Sequence, residues 1–340
     1  MTYKIVSVWV KDIQVPASPE FLRCYDPSYD VVFKELFGSE RNKDMLISLV
    51  NDAMNWQGEH EIQDVTFLNT EVSQSTPDEK GIRYDIRAIA KNGEQFIVEM
   101  QRKHEIDYEK RTVYYASKAY VLQLDEPGKE GRANDPRVKS YKDIRAVIVI
   151  SILDHTLFKE TPHFRNHYST RDETSQRKLT GSPEYIYIEL AKFVSKNHLY
   201  LTKDIEHMTG IERWAYVLKE APNMQSIPPS LEGTAQGKAL NRINRSKLTP
   251  VQREAWDMSI LDQIAREQKI QVLEDRLRQA ETDREVESRR AEVAEAAREV
   301  ESRRAEVAEK QNQKMVEEIA ALKRMIESSA TMPDTKRSKF

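Results

Sequence analysis

Cysteine is almost absent from this sequence of 340 residues, which contains only Cys24. A single cysteine excludes a disulfide within the chain and any zinc site built from several thiolates. A reduced compartment is compatible with this composition, and we expect the protein to be cytoplasmic.

Long apolar runs are missing as well. The longest, residues 146–150, is far below the roughly 18 residues of a membrane-spanning helix. The apolar stretch at residues 5–10 is short and is interrupted by Ser7, which does not fit a secretory signal peptide. The sequence therefore predicts a soluble protein that has no membrane partner.

Charge of one sign is not in excess, because 53 Lys and Arg residues nearly balance 56 Asp and Glu residues, for a net charge of −3. Any binding of phosphate groups must therefore come from a local basic patch. Charged residues still make up 32% of the chain, and the mean hydropathy is −0.70, which is very polar for a compact protein. This polarity indicates that part of the chain forms an extended segment.

Proline and glycine do not occur between residues 251 and 328, which predicts a long helix there. Its start has the residues of a capped helix. Thr249 is the expected N-cap, Pro250 takes the first helical position, and Gln252 completes a capping box.

A repeat lies inside this helix, since residues 284–295 recur identically at residues 298–309. The offset is two heptads, and it places valine at every seventh residue, at Val286, Val293, Val300 and Val307. A coiled coil that makes the chain a homo-oligomer is one interpretation. A single solvated helix held by Glu–Arg pairs is the other, because most of these heptads lack a second apolar residue.

The first two thirds of the chain show the periodicities of an α/β domain. Apolar residues spaced three and four apart predict helices over residues 26–54 (interrupted at Gly38), over residues 107–124 and around Trp214. Alternating or continuously β-branched runs predict strands at residues 65–68, 84–90, 96–100, 144–153 and 184–190.

Domain boundaries follow from these patterns. Three prolines and two glycines indicate a linker between the globular domain and the long helix. The predicted parts are a globular domain at 1–221, a linker at 222–248, the long helix at 249–328 and a disordered tail at 329–340.

Residues 91–94 (Lys-Asn-Gly-Glu) predict a β-hairpin, and its loop length decides which side chains meet. A two-residue loop sets Asp85 opposite Met100. A three-residue loop that ends at a left-handed Gly93 sets Asp85 opposite Glu99, at about 5 Å between Cβ atoms. Two such carboxylates repel each other unless a cation lies between them, which predicts a divalent metal site. Ordinary acids on an exposed hairpin are the alternative.

Glu99 and Gln101 share a strand face, because side chains alternate along a strand. Asp85, the Gly93 turn and residues 97–101 (Ile-Val-Glu-Met-Gln) resemble the core of the recombination-promoting nuclease (Rpn) and transposase family, which belongs to the PD-(D/E)xK nuclease superfamily. The resemblance extends over roughly residues 25–220. Its other segments, in chain order, are residues 29–37, 111–115, 148–154 and 187–193.

The resemblance implies a restriction-endonuclease-like α/β fold, in which helices flank a mixed sheet. The long C-terminal helix or coiled coil predicted from the sequence follows this domain. It also implies that Mg²⁺ or Mn²⁺ assists hydrolysis of DNA phosphodiesters, with Asp85 and Glu99 as metal ligands and Gln101 as the third catalytic residue. Gln101 stands where the superfamily pattern usually has lysine, and an amide supplies no positive charge. Lys103 would supply that charge if the strand continued so far. Asp30 is either an acid that completes the site or a helix-cap or salt-bridge residue.

Basic residues around the exit of the hairpin predict a track for DNA phosphates; they are Arg102, Lys110, Arg111 and Lys118. A solvated helix face is the alternative, because Glu105, Asp107 and Glu109 dilute their charge.

Three functional hypotheses follow. The ordered resemblance favours a Mg²⁺-dependent DNA endonuclease linked to recombination or mobile elements. A DNA-binding relative of that family without catalytic activity is the second. The third is an oligomeric interaction protein in which the long helix dominates.

Overall fold

The structure is a computed structural model, which describes residues 23–72, 82–125, 141–193 and 204–330. The chain divides into two compact units, Met1–Ile264 and Ala265–Phe340. Most of the predicted disordered tail at 329–340 lies outside the described residues.

The helices and strands of the described residues alternate along the first unit. The helices are α1 (Asp30–Phe37), α2 (Lys43–Met54), α3 (Tyr108–Asp125), α4 (Leu190–Phe193), α5 (Gly210–Glu220), α6 (Ala235–Arg242) and α7 (Pro250–Ala330). The strands are β1 (Val65–Phe67), β2 (Glu71–Val72), β3 (Ile82–Arg83), β4 (Ile86–Ala90), β5 (Gln95–Gln101), β6 (Val147–Leu153), β7 (Arg165–Ser169) and β8 (Glu184–Glu189). Single 3-10 turns lie at Glu40–Asn42, Gly58–His60, Tyr141–Asp143, Ile205–His207, Ala221–Asn223, Pro229–Leu231 and Arg245–Lys247.

Six strands form one mixed sheet in the order β1-β4-β5-β6-β8-β7. Strands β5, β6 and β8 are parallel, whereas β1, β4 and β7 each run antiparallel to a neighbour. Every residue of β6 is buried, as the continuous apolar run predicted for a strand covered on both faces. The predicted fold class, a mixed sheet flanked by helices, is confirmed.

Helices cover both faces of this sheet, and alternate residues of β5 point to opposite layers. Phe96, Val98 and Met100 pack into the larger core, to which α1, α2, α5 and α6 contribute. Ile97 packs into a smaller core with residues of α3. Glu99 has the same alternation as Ile97 and therefore lies on the α3 face.

Gly38 separates the first two helices, as predicted. Its N–H donates a hydrogen bond to the carbonyl oxygen of Lys34 (2.8 Å), and a Cβ at this position would lie 2.9 Å from the same oxygen. Helix α1 buries its apolar stripe completely; this stripe consists of Val32, Phe33, Leu36 and Phe37. The helix is therefore held firmly against the sheet.

The linker prediction for residues 222–248 is wrong. This segment contains α6, and Leu231, Leu240 and Ile243 are fully buried in the larger core. Its prolines begin short helical turns, and Gly237 lies so close to Leu231 that a Cβ would be 2.0 Å from the carbonyl oxygen. Proline and glycine here permit tight packing, which composition alone does not distinguish from a linker.

Strand β7 was not predicted from the sequence. It lies at the edge of the sheet, and its residues (Arg-Asn-His-Tyr-Ser) are half-buried or exposed. An edge strand without an apolar face lacks the alternation by which strands are recognised.

Helix α7 confirms the predicted long helix. Thr249 Oγ1 accepts from the N–H of Gln252 (3.2 Å), and Gln252 Oε1 accepts from the N–H of Thr249 (3.0 Å), which is the predicted capping box. In the second unit the ladder valines are 45% to 70% exposed. Among the described residues, no helix is long and apolar enough to cross a membrane.

The hairpin between β4 and β5 has the three-residue loop. Ile89 pairs with Gln95, and the N–H of Ala90 donates to the carbonyl oxygen of Glu94 (2.9 Å). The loop ends at Gly93, which has a φ of +90°. A side chain at this φ is strained, so the glycine is required by the loop that sets the register.

We expect Gly93→Ala to lower the free energy of unfolding by about 1–2 kcal/mol, because alanine resists positive φ and its Cβ would lie 3.0 Å from Arg145 Cγ. Gly58→Ala is the matched control, since Gly58 has a φ of +61° with no atom within 4 Å. It should cost less, and urea denaturation measures both. Wild-type stability of Gly93→Ala would contradict this description of the loop.

Candidate active site

Asp85 and Glu99 meet at one edge of the sheet. Ile86 pairs with Val98, and continuing this register by one residue sets Asp85 level with Glu99. The N–H of Asp85 donates to Glu99 Oε1 (3.1 Å), and the N–H of Met100 donates to Asp85 Oδ2 (3.0 Å). These bonds fix both carboxylates, and the predicted hairpin register is confirmed.

Both carboxylates are withdrawn from water. Glu99 is 3% exposed, and the side chain of Asp85 is 23% exposed. Burial raises the pKa of Glu99 well above its usual range, and the negative charge of Asp85 raises it further. Burial also raises the pKa of Asp85, although the Met100 N–H and Lys34 oppose this shift. Ionising both groups together is therefore unfavourable.

Two cations approach this pair from opposite faces of the sheet. Lys34 of α1 places Nζ 3.6 Å from Asp85 Oδ1. Arg111 of α3 lies over the ring of Tyr108, with 4.8 Å between its Cζ and the ring centroid, and its charge lowers the pKa of Glu99. Positive charge from two helices thus partly offsets the repulsion between the acids.

Asp30 forms the salt bridge that was one of its predicted roles. It is the first residue of α1, and Tyr29 occupies the N-cap position without a side-chain cap bond. Asp30 Oδ1 lies 2.6 Å from Lys34 Nζ. Asp30 therefore contacts the acid pair through Lys34.

Gln101 is the last residue of β5 and is half-buried. Its carbonyl oxygen accepts from the N–H of Asp154 (2.8 Å), which joins the ends of β5 and β6. The strand does not continue to Lys103, as its proposed accessory role required, because β5 ends at Gln101 and the chain bends there. Lys103 is exposed and does not lie on the strand face of Glu99 and Gln101.

Two of the predicted phosphate-binding residues are engaged within the protein. Arg102 stacks on Tyr29, with its Cζ 3.7 Å from the ring centroid. Arg111 is paired with Glu105 and is largely covered, with 27% of its side chain exposed. Both side chains therefore support the edge of the sheet.

The other two predicted contacts lie on α3. Lys110 is exposed and pairs with Asp107 at 2.6 Å. Lys118 is half-buried and has an interaction within the protein. Of the four basic residues, Lys110 is exposed and the other three are half-buried.

A row of polar side chains beside Glu99 was not predicted from the sequence. Ser151 pairs with Glu99 across β5 and β6, and Tyr187 is the next residue in the row. The Tyr108 hydroxyl donates to Ser151 Oγ (3.0 Å), and the hydroxyls of Thr112 and Tyr187 are 2.5 Å apart. Ser151 interrupts an apolar run, and this interruption is the one signal in the sequence that marks the row.

A buried ion pair holds the loop that follows β6. Glu189 and Lys192 are 0% and 6% exposed and 2.6 Å apart. Glu189 Oε1 accepts from the N–H groups of Leu157 and Phe158, and Lys192 Nζ donates to the Phe158 carbonyl oxygen (2.6 Å). Such saturation of hydrogen bonds is what a buried ion pair requires. These contacts give a structural role to the segment at residues 187–193.

The acid pair suits a magnesium ion. Mg²⁺ binds through one or two carboxylates and keeps several waters or phosphate oxygens. The described residues contain no cluster of three or more His, Cys, Asp or Glu side chains that would hold a metal by themselves. Asp85 and Glu99 fit a site that water and substrate complete.

Residues 27–273 match the family described as PD-(D/E)XK nuclease family transposase. The match covers most of the chain. This chain belongs to the PD-(D/E)XK nuclease family transposases. Neither curated proteins nor solved structures gave a significant match. The family match includes residues 222–248, which agrees with their place in the core of this nuclease-family domain.

We expect Glu99→Gln to stabilise the metal-free nuclease-family domain above neutral pH. The raised pKa makes the folded state bind more protons than the unfolded state, so stability falls as pH rises from the ordinary glutamate pKa through the folded one. Glutamine removes that cost and keeps the acceptor oxygen. At pH 8 in EDTA the melting temperature of Glu99→Gln should exceed that of wild type by about 2–4 °C for each kcal/mol gained in the free energy of unfolding. Near pH 4 the difference between the two proteins should vanish.

Glu184→Gln is the control with the opposite sign. Glu184 is also buried, but hydrogen bonds from His167 and Lys178 outweigh the effect of burial and lower its pKa. Its charge stabilises the fold above the ordinary glutamate pKa, so Glu184→Gln should lower the melting temperature at pH 8. Destabilisation by both variants would contradict the description of Glu99.

Proposed function

We propose that this chain is a DNA endonuclease that depends on Mg²⁺ or Mn²⁺ and acts in recombination or in the movement of a mobile element. The observation that carries the proposal is the pairing of buried Glu99 with half-buried Asp85 at the edge of the sheet. Asp85 and Glu99 would hold the ion, which would supply the positive charge that activates water and stabilises the attacked phosphate. Membership of the nuclease-family transposases supports the same activity.

Each residue of the pair has a defined part in this proposal. Asp85 and Glu99 would hold the ion, and hydrogen bonds from the backbone N–H groups of Asp85 and Met100 keep the two carboxylates in place. Gln101, at the end of the same strand, orients water or a phosphate oxygen through its amide. Because the side chain of Gln101 is neutral, positive charge beside the attacked phosphate must come from other groups.

Cleavage of supercoiled plasmid tests this function. Wild-type protein should nick the plasmid when Mg²⁺ or Mn²⁺ is present and stop when EDTA is added. Asp85→Asn and Glu99→Gln should each reduce the rate by about a hundredfold or more, because each removes a charged metal ligand.

Asp44→Asn is the control for the cleavage assay, since Asp44 is half-exposed and pairs with Lys238 (2.7 Å). It should cleave like wild type. Cleavage by the Asp85 and Glu99 variants at the wild-type rate would contradict the assignment of these residues as metal ligands. Retention of DNA without cleavage by wild type would favour the inactive DNA-binding relative.

We also propose that α7 pairs with the same helix of a second copy. The ladder valines are 45% to 70% exposed, and this observation favours the pairing. A straight helix drifts by about 20° per heptad, and two helices that wind around each other remove this drift along the ladder. Two copies of the helix in register would bring the ladder valines together in one seam.

Light scattering tests the pairing. The double variant Val293→Glu and Val300→Glu should reduce the molar mass in solution, because it places charge in the seam. Ala291→Glu is the control, since Ala291 is exposed and lies off the ladder. A wild-type protein that is already monomeric would contradict the pairing.

A further inference from the structure

The acid pair needs a cation that Gln101 does not supply. Hydrolysis of a phosphodiester builds negative charge on the phosphate, and a fixed positive charge lowers that barrier. The superfamily pattern supplies lysine at the position of Gln101. A replacement must therefore reach the edge of the sheet from another element.

Lys34 reaches this edge from α1. Its Nζ is 2.6 Å from Asp30 Oδ1 and 3.6 Å from Asp85 Oδ1, and 32% of its side chain is exposed. Asp30 lies one helical turn earlier, so the two residues share a helix face. The ammonium group is thus held between a helix acid and one member of the acid pair, and part of the Lys34 side chain is open to solvent.

The position of α1 makes this placement rigid. Four apolar side chains of the helix are fully buried. At its start, the N–H of Asp30 donates to Gln263 Oε1 (2.9 Å). A lysine on such a helix is positioned by the fold and needs little further ordering when substrate arrives.

Two other nearby cations are paired with carboxylates of their own, and a third lies beyond the end of the strand. Arg111 is paired with Glu105 and stacked on aromatic rings, so its charge faces Glu99 from inside the protein. Lys192 is buried against Glu189. Lys103 follows the end of β5. Lys34 is the described lysine that has both a contact with Asp85 and exposure to solvent.

We propose that Lys34 is the positively charged catalytic residue of this site and contacts the attacked phosphate in place of a lysine at position 101. This rests on the proposed nuclease function. Before the metal binds, Lys34 neutralises Asp85. With a metal at the acid pair, Asp30 would retain the ammonium group beside it, where it would face the phosphate.

This role has a consequence that a structural role does not share. A cation beside a metal ligand repels the metal, so removing it should tighten metal binding while slowing cleavage. A lysine that merely supported Asp85 would, on removal, weaken metal binding and cleavage together.

Lys34→Met tests the proposal by two measurements on the full chain. Calorimetric titration with Mn²⁺ should show about three- to tenfold tighter binding, given partial screening by solvent. Plasmid cleavage at saturating Mn²⁺ should be about a hundredfold slower. Lys34→Arg keeps the charge, so it should bind Mn²⁺ like wild type and recover part of the rate.

Lys43→Met is a closely matched control. Lys43 is 26% exposed, lies 2.9 Å from Glu40 within its helical segment and 3.6 Å from a second carboxylate, that of Asp64. It should change neither measurement. This control separates an effect of the site from the general loss of a doubly paired lysine.

Two results would overturn the proposal. Unchanged cleavage by Lys34→Met would exclude contact with the phosphate, and weaker Mn²⁺ binding would assign Lys34 a supporting role. If wild type binds Mn²⁺ but does not cleave DNA, the nuclease function itself fails, and with it the catalytic role of Lys34. The Mn²⁺ titration of Lys34→Met then still shows whether the charge of Lys34 opposes metal binding.

Discussion

The repulsion between the carboxylates of Asp85 and Glu99 is the interaction on which the site depends. The backbone register brings these groups together, and reciprocal hydrogen bonds hold them there. Burial makes their joint ionisation costly, so the folded chain carries a local instability that cations relieve. Lys34 and Arg111 relieve part of it, and a divalent ion would relieve more. A site that is unstable without its ligand is a common feature of functional centres.

The fold supplies the constraints that maintain this arrangement. A three-residue loop closed by Gly93 fixes which residues of β4 and β5 face each other, and a loop one residue shorter would turn Glu99 to the other face. Helix α1 is locked on one side of the sheet and α3 on the other, and each delivers a cation. The buried Glu189–Lys192 pair fixes the loop beside them. Loop length, helix packing and charge therefore together determine the positions of the Asp85 and Glu99 carboxylates.

The sequence alone predicted the elements whose signal is local. Helices α1 and α2, the buried strand β6, the capping box at Thr249 and the alternatives for the hairpin loop all follow from short-range patterns. Features that depend on distant partners did not. Strand β7 exists because it pairs with β8, and residues 222–248 are ordered because their apolar side chains complete a core. The contact of Lys34 with Asp85 joins residues 51 positions apart, and only the folded structure shows it.

Proton release on metal binding tests the central claim most directly. Mn²⁺ should be titrated into the protein in two buffers of different ionisation enthalpy, at several pH values. Because the pKa of Glu99 is raised, a metal that binds this pair must displace a proton, so release should approach about one proton at low pH and decline as pH rises. The double variant Asp85→Asn and Glu99→Gln should show no such binding. Binding without proton release throughout, or binding that persists in the double variant, would contradict the account.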